Sequence, residues 1–569
     1  MSIVDRLAAA RGEIECDLVL RDARLVNVIS GEIYLTDIAV HDRHVVALGD
    51  GYAGASEVDL DGSYVTPGLI DAHVHIESSL VTPPEFARAV LPRGVTTVIT
   101  DPHEIANVLG IAGIHYMLER ARRGQLSMFV MASSCVPATR METSGARLEA
   151  ADLAPLLDHP WVPGLAELMN YPGVALGDEG MLDKLALFAD RALDGHAPAM
   201  TGKRLNAYVA AGVQSEHECT TLAEAREKLR LGLTIFIREG TTTRNLLPLL
   251  PLITPENHSA ICFCTDDRVP ADLIDEGSID FMLRQAIAAG IDPVMAIRMG
   301  SYNTARHFGL RKYGAVVPGR YADLLVLPDL RDFHAQQVYR GGELVAKDGI
   351  MLSQRRQARP LDRPASVNIG GASLDFTIPA RGETIRVIGT VLDQVVTRHL
   401  VESARIVKGC AVSDVERDIL KFAMIERHRA SGKVGLGFIK GFGLQRGAIA
   451  GTVAHDHHNL AVIGVDDSSM RAAALALADG GGGLVAVDGE RILASLPLPV
   501  AGLLSEAPIE EVRADYDRMV RAAQSLGSSL PDPFMAMSFM GLEVIPCLKL
   551  TDHGLVDVER FEVVDLFVQ

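Results

Sequence analysis

The chain has 569 residues, too many for one hydrophobic core, so two or three domains are expected. Its composition is 48% hydrophobic and 22% charged, ordinary for a globular protein, with a formal net charge of -19. That acidity weighs against DNA, RNA or any other polyanion as a partner, because phosphate contacts need Lys and Arg, although acidic charge equally serves solubility.

The N-terminus, Met1-Ser2-Ile3-Val4-Asp5-Arg6, lacks a basic region followed by an apolar stretch, and no apolar run reaches transmembrane length. Seven cysteines show no paired framework, and Cys262-x-Cys264 has neither zinc-ribbon nor thioredoxin spacing. A reducing, cytoplasmic setting with no membrane partner is the expectation.

From about Asp17 to Val65 the chain reads as short strands and turns, among them Leu18-Val19-Leu20, Ala39-Val40-His41 and Val45-Val46-Ala47-Leu48. From Thr66 to about Arg311, apolar runs such as Thr96–Thr100, Met128–Met131 and Leu233–Ile237 alternate with helical stretches, which suits an α/β, TIM-type (β/α)8 barrel. Strand patterning returns between Gly314 and Leu327. Gln354 to Pro364 is polar and reads as a linker, and Ala365 to Gln569 mixes strands and helices as a C-terminal α+β domain. Gly480 to Gly483 is followed by no Gly-Lys-Ser/Thr signature, so it reads as a turn.

Within the barrel region, metal-capable side chains stand where strand-like runs stop. Thr66-Pro67-Gly68-Leu69-Ile70-Asp71-Ala72-His73-Val74-His75 ends in two histidines one residue apart, which share a face of a strand. Glu167 follows Trp161 to Ala166, His196 sits in Asp194-Gly195-His196-Ala197-Pro198, His217 ends Ala211 to Glu216, and Asp266 ends Ile261 to Thr265. Catalytic groups of a (β/α)8 barrel come from such strand ends. Four histidines and two carboxylates suit two divalent ions that share a bridging ligand and an activated water. Any one of these residues alone reads equally well as structural.

This order is similar to that of the amidohydrolase superfamily, and within it the chain resembles the adenine deaminase family nearly end to end. The carrying stretches are Pro67 to Ser79, Asp101-Pro102-His103-Glu104-Ile105-Ala106-Asn107-Val108, Ala166 to Gly173, Asp194 to Pro198, Cys264-Thr265-Asp266-Asp267-Arg268, Ala454-His455-Asp456-His457-His458-Asn459 and Leu548 to Asp552. Many binuclear members bridge their ions with a carbamylated lysine on strand 4, but the first lysine here is Lys184, beyond that strand, which leaves Glu167 as the bridge and disfavours cyclic amidases. The resemblance implies four segments: 1–65 and 312–364, the latter including the linker, as the two parts of a small composite β-sandwich, 66–311 as the barrel and 365–569 as the C-terminal adenine deaminase domain.

It also implies hydrolytic deamination of adenine to hypoxanthine and ammonia, with manganese or iron favoured and zinc accepted by the same ligands. His73, His75, Glu167 and Asp266 are expected on one ion, with Glu167, His196 and His217 on the other. Asp266 is the expected proton acceptor, preferred over Asp267 because it follows Thr265 directly. Glu77, on the His75 face if the strand continues, and Glu218, beside His217, are the two candidates for a protonated carboxyl that serves the purine ring; for each, a salt bridge or surface role is the plain alternative. Asp101 reads as a helix cap, and His103 with Glu104 as a further ligand or an ammonia-path acid. Arg238 reads as a substrate contact or an ion-pair partner. The loop with His455, His457 and His458 is implied to lean over the site. A homo-oligomer, in the simplest case a dimer, is implied as well. The alternatives are an amidohydrolase acting on another amino-substituted heterocycle and a non-catalytic scaffold; a polynucleotide deaminase is disfavoured, because His75-Ile76-Glu77 lacks the Pro-Cys-x-x-Cys partner.

Overall fold

A computed structural model describes residues 3–352, 365–370, 374–392 and 394–568. The expected linker, Gln354 to Pro364, lies outside the described residues. Among the described residues no helix is long and apolar enough to cross a membrane.

Cys16–Asn27, Glu32–His41, His44–Leu48, Gly54–Asp59 and Tyr64–Pro67 form the N-terminal strands. After the barrel, Leu324–Leu327 pairs antiparallel with Tyr64–Pro67, and Gln337–Arg340, Glu343–Lys347 and Ile350–Met351 extend the same sheet to nine strands. Its core mixes both ends of the chain: Leu18, Leu20, Leu25 and Val40 pack with Leu324, Val326 and Tyr339. The return strand is shorter than the apolar pattern from Gly314 suggests. Pro318 has no N–H to give a ladder, and Gly319 turns at φ 91°.

Eight parallel strands follow between Leu69 and Cys264: Leu69–Val74, Val95–Thr100, Ser127–Val130, Gly164–Leu168, Ala192–Gly195, Ser215–Glu216, Thr234–Arg238 and Ile261–Cys264. They close on themselves where Asp266 donates its N–H to the His73 carbonyl (3.0 Å) and His75 donates to the Asp266 carbonyl (3.2 Å). The interior is filled by Ile70, Ala72, Ile99, Phe129, Ala166, Phe236 and Cys262, and the outer face packs on helices through residues such as Phe86, Met117, Leu205 and Leu283. The pairing register slips between Asp71 and Val74. Through that irregularity the strand passes from Ile70 and Ala72 in the interior to His73 and His75 at the mouth. Buried Asp71 fastens the seam, accepting from Thr265 Oγ1 (2.5 Å), Thr265 N (3.1 Å) and His73 N (3.3 Å).

The C-terminal part is built on an eight-stranded sheet that runs in the order Thr397–Ser403, Thr384–Thr390, Val434–Lys440, Ile419–Ile425, Leu460–Gly464, Ala448–Gly451, Gly483–Asp488, Arg491–Pro497. Helix Asp467–Asp479 covers one face with Met470, Ala473 and Leu477, and ends in the turn at Gly480 to Gly482. This domain docks on the barrel mouth: Thr82 of the barrel loop donates its N–H to the Ser505 carbonyl (3.0 Å), Ser505 donates its N–H to the Leu80 carbonyl (2.7 Å), Thr139 donates to Glu543 (2.6 Å) and Thr143 N donates to Asp552 (2.8 Å).

Candidate metal centre and active site

The first strand ends at Val74, and His75 follows with extended backbone before a 3-10 turn over Ile76–Ser79. His75 donates Nδ1–H to the carbonyl of Asp101 (3.1 Å), so its Nε2 is a bare lone pair. That lone pair faces His73 Nε2 at 3.0 Å, Glu167 Oε1 at 3.2 Å and Asp266 Oδ1 at 3.3 Å. Acceptors facing acceptors in a buried site are satisfied only by a proton or a cation, so this donor set fits a metal ion.

Glu167, at the end of the fourth strand, divides its two oxygens. Oε1 faces His75 (3.2 Å), His103 (3.4 Å) and His73 (3.7 Å); Oε2 faces His196 Nδ1 (2.7 Å) and His217 Nε2 (3.3 Å). Burial opposes its charge, yet the bonds from His196, His217 and His75 hold it well below the usual carboxylate range. His73, His75 and Asp266 make one compact group of potential ligands, and His73, Glu167 and His217 make another. His196 keeps a buried Nε2 with no partner.

Asp266 adopts left-handed backbone at φ 59°, a conformation Asp tolerates better than most residues. Oδ1 then enters the histidine cluster while Oδ2 accepts from Arg238 (2.8 Å). Asp267 points elsewhere: it accepts from Ser78 Oγ, and burial together with the Asp266 charge pushes its carboxyl up to about 6.

Asp101 both starts the helix His103–Leu109, accepting from His103 N (3.1 Å), and fixes the His103 ring through Nδ1 (3.0 Å). The other side of His103 faces Asp456 and Glu104, each at 3.5 Å. Glu104 is held by His455 Nδ1 (2.5 Å) and by His458 Nε2. Phe539 stacks on His455 with centroids 4.6 Å apart. The C-terminal loop thus stands inside the site.

Two expectations change. The strand does not continue to Glu77, so the shared-face argument fails; Glu77 accepts from Ile105 N (3.3 Å) and is not among the residues that line the cleft. Glu218 does line it, and Arg238 donates to both of its oxygens, which is the salt-bridge alternative. The sequence reading had no signal for Phe539, Val395, Leu542 or Ile545, which with Asp456 line the cleft from the C-terminal side.

Residues 64–345 match the amidohydrolase family, and residues 394–562 match the adenine deaminase C-terminal domain. Members of that family typically bind divalent metals, in keeping with the His/Asp/Glu groups here. The chain is 51% identical to an adenine deaminase of Desulfatibacillum aliphaticivorans, covering 99% of both chains. It is 48% identical to one from Methanothrix thermoacetophila (100% of both) and 47% identical to one from Cereibacter sphaeroides (99% of both). This chain belongs to the adenine deaminase family of the amidohydrolases.

Proposed function

We propose that the protein hydrolyses adenine to hypoxanthine and ammonia at this centre with two divalent ions, manganese or iron in preference to zinc. The carrying observation is Glu167, with one oxygen toward His73 and His75 and the other toward His196 and His217. Full-length likeness to adenine deaminases supports adenine as the substrate. His73, His75, Glu167 and Asp266 would hold one ion, and Glu167, His196 and His217 the other. When bound, such ions lower the pKa of water from about 16 towards about 7.

The protein groups do the rest. Asp266 takes the proton of the attacking water and passes it to the leaving nitrogen, and Arg238 holds the carboxylate in place for both steps. His103, set between Asp101 and Asp456, is the donor to the ring nitrogen that gains electron density. Glu218, paired with Arg238, acts as a hydrogen-bond acceptor. Glu104 positions His103 and the C-terminal loop, and Glu77 supports the turn behind His75 through Ile105. Free cysteines suit a reducing cytoplasm, and the exposed Leu35 beside Ile33 on the sheet suits a homo-oligomer.

The test is turnover by protein stripped of metal and reloaded with manganese, offered adenine, adenosine and cytosine separately. Ammonia release with the shift from adenine to hypoxanthine absorbance, abolished in Glu167→Gln, is expected. Protein holding two ions per chain that leaves adenine untouched refutes the reading.

A further inference from the structure

Opposite the histidine–carboxylate cluster, the cleft is walled by Val395, Phe539, Leu542 and Ile545, with His455 among them. This wall belongs wholly to the C-terminal domain. Three contacts fix the His455 ring: Nδ1 on Glu104, the stack on Phe539, and the main-chain N–H on the Ser538 carbonyl (2.8 Å). Its Nε2 is buried and has no partner in the protein.

The protonation of the neighbouring ring decides what that nitrogen offers. Ala454 donates its N–H to His458 Nδ1 (3.1 Å), so His458 is neutral, with its proton on Nε2 beside Glu104 but in no hydrogen bond to it. His103 hydrogen-bonds Asp101 through Nδ1 and turns Nε2 toward Asp456 and Glu104 alike, each at 3.5 Å. His455 is the ring that hydrogen-bonds buried Glu104, through Nδ1 at 2.5 Å, so it carries the countercharge and its second N–H is left for the cleft.

Resting on the deaminase reading above, we propose that His455 is a substrate-binding residue supplied by the C-terminal domain. Its Nε2–H donates to a ring nitrogen of the purine, while Phe539, Leu542 and Ile545 cover the apolar face of the base. A flat heteroaromatic ring with in-plane acceptors matches a slot of apolar walls and one fixed donor.

Two substitutions in full-length, manganese-loaded protein separate this role from a structural one. His455→Asn keeps an amide near the Nδ1 position, hence the Glu104 bond, and removes the cleft-facing donor. His455→Gln does the reverse. With metal content unchanged, His455→Asn is expected to raise KM for adenine by about tenfold or more, with a smaller change in kcat, and His455→Gln to recover part of the loss. The inhibitors 1-, 3- and 7-deazaadenine each lack one ring nitrogen. The analogue missing the partner of His455 binds the wild type more weakly than the other two, and this difference disappears in His455→Asn. An unchanged KM in His455→Asn, deaza penalties equal in wild type and variant, or better function in Asn than in Gln overturns the proposal. If His455→Asn does not fold, His455→Gln with the deaza series decides. Metal-replete wild type that is inert toward adenine fails the deaminase reading itself, whereas active wild type with indifferent variants fails only the role of His455.

Discussion

Arg238 donates to Asp266 at 2.8 Å and, through the other terminal nitrogen, to Glu218 at 2.8 Å, so one buried guanidinium serves two carboxylates of the site. Its desolvation is offset only because both partners are present. Arg238→Met leaves two buried charges uncompensated. A fall in kcat of about a hundredfold or more and a stability loss of about 3–5 kcal/mol are expected. Arg238→Lys, lacking the fork, should recover only part of either. Wild-type kinetics in the Met variant would show that the ion pairs are incidental.

Metal should also hold the fold together. The ligand set combines residues from both edges of the barrel closure, His73 and His75 on one side and Asp266 on the other. Ions that bind the folded chain alone raise stability by about 2.7 kcal/mol at a hundredfold excess over Kd. Titrating manganese into stripped protein should raise Tm until two equivalents are bound. A flat Tm would mean the site forms independently of its ions.

Asp71 makes a second, metal-independent claim on the same seam. It lies fully buried, accepting two N–H groups and the Thr265 hydroxyl, while burial raises its carboxyl to about 7. Asp71→Ala orphans all three donors and should cost about 2–4 kcal/mol, read by denaturant midpoint. Asp71→Asn keeps acceptors and should cost less. Equal losses in the two variants would argue against the hydrogen bonds as the cause.

A pH dependence arises where the barrel meets the C-terminal domain. Burial raises both Glu142, with the charges of Glu543 and Asp456 added, and Glu543, to about 7 with the Asp456 charge and despite the bonds from Thr139 and Glu142. The folded state thus binds protons there that the unfolded chain, with ordinary carboxyls near pH 4.3, has released. The contribution to stability is complete below that ordinary value and is lost as pH rises through about 7. Tm should fall between about pH 4.5 and 7, and Glu543→Gln should remove part of the slope. Identical slopes in the two proteins would exclude this pair.

Much of the barrel was legible because its signals are local. A strand end carrying His or a carboxylate is visible within six or seven residues, and His73, His75, Glu167, His196, His217 and Asp266 do converge. Glu77 misled because alternation holds only while the strand lasts, and the chain turns after His75. The acid role considered for Glu218 ignored Arg238, a partner twenty residues away on the next strand. The far wall of the cleft was illegible for a deeper reason. His455 meets Glu104 across 351 positions, and neither a histidine loop nor the apolar run around Phe539 says locally what it will face. The His455 to His458 segment stood out as a cluster of three histidines and by family likeness, and neither named the residues it would face.

The closure of the barrel also orders events in time. His73 and His75 emerge early from the ribosome, yet their carboxylate neighbour Asp266 comes from the last barrel strand, and Phe539 follows near the end of the chain. No nascent fragment that stops short of the eighth strand holds the full donor set, and none that stops short of the C-terminal sheet has a covered cleft. A chain truncated after the barrel should take up its metals readily and give them back to a chelator just as readily.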